Sequence, residues 1–141
     1  MRRNINIQEY LPHRTPMLMA DTVLEITEKY AVTEFTILPD NIFVENGFLT
    51  EAGLIENCAQ TCSTITGQQL FTDRTKKPEV IGFISNIKKI KIFELPESGS
   101  TLTTKAEFIS EYENICNVSC TTFCGDKILM EAEIVMFIKK L

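Results

Sequence analysis

The chain has 141 residues, 44% hydrophobic and 23% charged, with a net charge of −5. That length and balance fit a single domain spanning 1–141 with one sizeable core. They argue against a nucleic-acid-binding surface, because the basic run KKIK at 88–91 is short and interleaved with apolar residues.

No stretch approaches the ~20 apolar residues of a membrane helix. The N-terminus, MRRNINIQEY, lacks the apolar centre of a secretory signal, so the expected setting is cytoplasmic. Five cysteines are an odd number for a disulfide framework. Cys58/Cys62 and Cys116/Cys120/Cys124 are each spaced i, i+4, not in the C-x₂-C pairs of metal motifs. They read as buried free thiols, and no metal site is expected.

Taken in order, residues 5–16 (INIQEYLPHRTP) read as a short amphipathic turn or helix stopped by Pro12 and Pro16. His13, the one histidine, sits between those prolines and reads as structural. Arg14 is expected to pair with a carboxylate or a backbone carbonyl. Residues 17–26 and 30–38 read as two strands, followed by a turn at Pro39-Asp40-Asn41.

Residues 41–67 read as a loop and then a long helix. Leu54, Ile55, Cys58, Ala59, Cys62 and Ile65 recur at the spacing of a buried helical face. Gly53, Glu56, Asn57, Gln60 and Thr64 form a second stripe. Thr50 is the expected N-cap, and Glu51 places a negative charge in the first turn. Glu56 has two readings. One is a solvated or interface carboxylate, the usual fate of a charged residue. The other is a catalytic carboxylate in a partly dry cleft, placed to give or take a proton.

After a polar connection at 72–78, the remainder reads as strands at 80–93, 100–110, 115–123 and 128–138. Short turn-compatible links suit an antiparallel meander. Two strands, one buried helix and about four strands predict an α+β fold, a curved antiparallel sheet wrapped around a central helix. The sheet's edge is the expected dimer contact.

The chain resembles the hotdog-fold β-hydroxyacyl-(acyl carrier protein) dehydratases. LPHRTPMLMADTVLEI at 11–26 is similar to that family's opening, and Gly53 through Gln60 to its central-helix motif. Pro96-x-x-Gly99-x-x-Leu102 is similar to its turn before a sheet strand. The resemblance implies a homodimer or higher oligomer with a narrow acyl tunnel at the subunit interface. The substrate is implied to be an acyl thioester on the phosphopantetheine of acyl carrier protein or coenzyme A, with no separate cofactor. It places Glu56 on the family's acid/base carboxylate and Gln60 on the glutamine one turn later, where it can orient Glu56. Gly47 and Gly53 fall at substrate-binding backbone positions, with the amide of Glu51 or Ala52 as the alternative to that of Gly53 for the oxyanion contact.

The chain departs from the family at 44–49 (VENGFL), where the family carries its catalytic histidine. Asn46 takes that place, and an amide cannot carry a proton at neutral pH. Three functions follow: a dehydratase using Glu56 with Asn46, a hotdog thioesterase using Glu56, or a non-catalytic dimer that binds acyl chains or acyl carrier protein.

Overall fold

The computed structural model describes residues 2–70 and 80–140. Among the described residues are nine strands and one α-helix: β1 (Arg2–Asn6), β2 (Thr22–Ile26), β3 (Tyr30–Thr36), β4 (Val44–Glu45), β5 (Phe48–Leu49), α1 (Glu51–Leu70), β6 (Val80–Ile92), β7 (Thr101–Tyr112), β8 (Ile115–Cys124) and β9 (Lys127–Lys140). Seven strands form one antiparallel sheet in the order β1-β2-β3-β7-β8-β9-β6, and α1 packs against β3, β6, β7 and β8. The expected α+β architecture is thus present. The polar connection at 72–78 lies outside the described residues.

The sheet face under the helix is built from rows of small residues. Thr33, Thr104 and Thr122 stand opposite one another on β3, β7 and β8. The next such row is Ala31, Ala106, Cys120 and Ala132. Small side chains let the helix come close. Leu54, Cys58, Cys62 and Ile65 then bury fully against the sheet. Burying each Leu or Ile contributes about 1.5–3 kcal/mol.

One local expectation, the short turn or helix at 5–16, is narrowed, and two are corrected. Residues 5–16 form part of edge strand β1 and a single 3-10 turn at Ile7–Glu9, where Asn6 Oδ1 accepts from Gln8 N–H at 2.9 Å. Residues 17–21 are not strand. Side chains of α1 take the backbone groups that a sheet ladder would need: Gln60 bonds Met17 O and Met19 N–H, and Asn57 bonds Met19 O. The stretch 44–49 is a hairpin, not an open loop. Asn46 (φ 52°) and Gly47 (φ 83°) are the left-handed pair that a two-residue hairpin turn demands.

Candidate active site

The start of α1 is fixed by the preceding hairpin. Thr50 N–H and Thr50 Oγ1 both donate to Phe43 O at 2.9 Å, so its hydroxyl anchors the loop instead of capping the helix. Leu54 N–H is the first to bond back within the helix, to Thr50 O. The N–H groups of Glu51, Ala52 and Gly53 precede it, at the positive end of the helix dipole. Gly53 is a packing residue. A Cβ there would lie 2.6 Å from Leu49 Cδ1 and 2.8 Å from Phe43 Cβ.

The second stripe of α1 is buried, not solvated. Gly53, Asn57, Gln60 and Thr64 are buried, and only Glu56 is half-exposed. Asn57 is completely enclosed. Its Nδ2 donates to Met19 O at 2.7 Å, and its Oδ1 accepts from Thr104 Oγ1 at 2.7 Å. Thr61 bonds Thr33 and the carbonyl of Asn57. These polar groups hold the helix in one register on the sheet.

Gln60 is the joint of the site. Its Oε1 accepts from Met19 N–H at 2.7 Å, and its Nε2 donates to Met17 O at 2.7 Å and to Glu56 Oε1 at 3.0 Å. Among the described residues, Gln60 is the hydrogen-bond partner of Glu56. Arg14 does not pair with Glu56. Its guanidinium donates to the carbonyls of Leu11 and His13 at 2.8 and 2.7 Å, and to that of Gln8 at 3.5 Å.

Glu56 opens onto a cavity of about 220 Å³ between α1 and the sheet. Ala59, Gln60 and Ser63 of α1 line it, with Gly82 and Ile84 of β6, Met136 of β9, and His13. A larger depression of about 740 Å³ lies over β6, β8 and β9 and includes no residue of α1.

The structure therefore brings Glu56 and Gln60 together. Within this chain it does not bring Asn46 or Gly47 to them. Both sit at the exposed hairpin tip, where Gly47 O accepts from Ser98 N–H at 2.8 Å. Sequence reasoning missed His13 as a cavity residue. The available signal was its place in the LPHRTP segment, which resembles the family's opening. It also missed that Asn57 is a buried clamp.

The model of the ApeP-like family, described as ApeP dehydratase, matches residues 5–140. The chain belongs to that family. Its fold is the hotdog, and the family's reaction class is that of a dehydratase, a lyase. The chain is 28% identical over 134 residues to the 3-hydroxyacyl-[acyl-carrier-protein] dehydratase FabZ of Acinetobacter baylyi, covering 92% of this chain and 90% of that one. It is 27% identical to FabZ of Chlamydia trachomatis, covering 92% and 87%.

Among solved structures, the dehydratase heterocomplex ApeI:P from Xenorhabdus doucetiae superimposes with a TM-score of 0.86 at 18% identity, covering 98% of this chain and 93% of that one. A hypothetical thioesterase with coenzyme A from Streptococcus pneumoniae superimposes at 0.65 with 13% identity and 84% coverage of both. Among the described residues, no helix is long and apolar enough to cross a membrane.

Proposed function

We propose that this chain dehydrates a 3-hydroxyacyl thioester carried on phosphopantetheine, with Glu56 as the acid/base. The observation that carries this is a half-buried carboxylate at a cavity, oriented by Gln60 one helical turn away, in a chain of a dehydratase family. Dehydration removes a proton from C2 and expels the C3 hydroxyl as water. The thioester oxygen gains charge as the C2 proton leaves, so amide donors must face it. The early N–H groups of α1, that of Gly53 among them, supply such donors at a favourable dipole end.

Asn46 and Gly47 lie on an exposed hairpin, so their part in the site requires a second subunit. In the proposed dimer, Asn46 of one subunit donates a hydrogen bond to substrate at the Glu56 of the other, and the Gly47 backbone lines the acyl path. That pairing is the homodimer arrangement. ApeI:P is a heterocomplex, and in an assembly of that kind a residue of a different chain would face Glu56. The acyl donor is acyl carrier protein or coenzyme A.

A second reading, thioester hydrolysis with Glu56 activating water, has the missing hairpin histidine in its favour, since a carboxylate with amide donors suffices for it. A non-catalytic acyl-binding role is the third.

Mass spectrometry of 3-hydroxyacyl and enoyl carrier-protein thioesters decides. Loss or gain of water with wild type, abolished by Glu56→Gln, is the expected result. Release of free acid identifies the thioesterase. No turnover of any chain length identifies the binding protein.

A further inference from the structure

Dehydration needs an acid as well as a base. Of the side chains lining the Glu56 cavity, Gln60 is an amide, Ser63 an alcohol, and Ala59, Gly82, Ile84 and Met136 have no exchangeable proton to offer. Among the described lining residues, only Glu56 and His13 have an acid/base side chain. Neither Asn46 nor Gln60 can fill that role.

His13 is also unusual in its bonding. Its Nδ1 is buried and has no hydrogen-bond partner among the described residues. The residue as a whole is half-buried, and a buried polar atom kept for structure normally has a partner. Meanwhile the surrounding backbone is firmly held. Arg14 Nη1 donates to the carbonyls of Leu11 and His13, and Arg14 O accepts from Met17 and Leu18 N–H. Gln60 then joins the two halves of the site, bonding both Met17 O and Glu56 Oε1. One side chain thus positions the carboxylate and anchors the turn that carries the imidazole.

We propose that His13 is the second catalytic residue of this site, the proton donor to the departing 3-hydroxyl. The proposal rests on the dehydratase reading above. Glu56 takes the C2 proton, and the C2–H electron pair becomes the C2=C3 π bond. The C3–O bond breaks with its electrons on oxygen, which takes a proton from the His13 imidazolium and leaves as water. The product is the 2-enoyl thioester. Glu56 is then protonated and His13 neutral, and transfer of that proton through the released water restores both.

The test uses the untagged full chain, in which His13 is the one histidine. In ¹⁵N-labelled Glu56→Gln protein, the ring signals of His13 should move on adding 3-hydroxyoctanoyl-pantetheine and stay unchanged with octanoyl-pantetheine. In turnover assays, His13→Gln should lose on the order of 10²-fold or more in kcat, with KM and thermal midpoint near wild type. Ring signals that do not distinguish the two ligands overturn the proposal, as does kcat within about threefold of wild type for a folded His13→Gln. If Glu56→Gln is inert while His13→Gln is active, the dehydratase reading stands and the His13 assignment falls. If wild type does not dehydrate, or Glu56→Gln is as active, the reading itself falls and takes this proposal with it.

Discussion

Gln60 donates to Glu56 Oε1 at 3.0 Å from one helical turn away, while its amide oxygen holds the Met19 N–H at 2.7 Å. The carboxylate's aim therefore depends on a residue that is itself locked by the segment 17–19. Replacing Gln60 with Leu removes both effects. The Met19 N–H and Met17 C=O lose their partner, which costs about 1–3 kcal/mol of stability. A carboxylate released to swing by an ångström costs on the order of 10²-fold in kcat. Urea unfolding and steady-state dehydration read the two losses separately. Unchanged kcat in a folded Gln60→Leu protein would show that Glu56 needs no such support.

Asn57 carries structure without chemistry. It faces Met19 O and Thr104 Oγ1, not the Glu56 cavity. Asn57→Leu keeps the volume and deletes both bonds, so the expected cost is about 1–3 kcal/mol. The unfolding midpoint in urea should fall with little change in the slope. A midpoint equal to wild type would mean that the hydrogen bonds of this clamp contribute nothing net to stability.

Gly53→Ala runs against the ordinary rule for helices. In an open helix the change gains about 1 kcal/mol. Here the new Cβ meets Leu49 Cδ1 at 2.6 Å and Phe43 Cβ at 2.8 Å, and Leu49 is completely buried. The hairpin or the helix start must shift, at about 1–3 kcal/mol. Calorimetry should show a lower melting temperature for Gly53→Ala, and a higher one would sink the packing account of this glycine.

The helix and the meander were legible because their signals are local. Apolar spacing marks α1 along Leu54, Cys58, Cys62 and Ile65, and these residues do face the sheet. The hydrogen bond from Gln60 to Glu56 was likewise readable from i, i+4 spacing. The irregular path at 17–21 was not. Met17-Leu18-Met19 looks like strand because hydrophobicity is what strands share, and nothing in those residues announces that Gln60 and Asn57, about forty positions away, claim their backbone. The same long-range tie kept His13 hidden, since its neighbours in sequence are not its neighbours in the cavity. Asn46-Gly47 is the reverse case. The pair is a strong hairpin signal, and weighing Asn46 only as a substitute for histidine obscured it.

The thiols give a pH-dependent prediction. Burial first, and then the Glu111 carboxylate that accepts from its Sγ at 3.5 Å, push Cys116 up from the usual 9.0 to about 11. Cys58 is raised by its hydrogen bond with Cys120 and by burial. For Cys120 a bond to Cys58 pulls downward, but contact with Cys62 and burial outweigh it. A raised folded-state pKa means that the folded chain holds the proton more tightly than the unfolded one. The stabilisation is complete below pH 9.0, and for Cys116 it is lost as pH rises toward 11. The urea midpoint should therefore fall across that window, and fall less in Cys116→Val. An equal fall in both would assign the loss to other groups. Alkylation at pH 8 gives an independent check. Thiolate is the reactive form, and Cys124 alone of the five cysteines is only half-buried. It should label first, and the other four only as the chain unfolds.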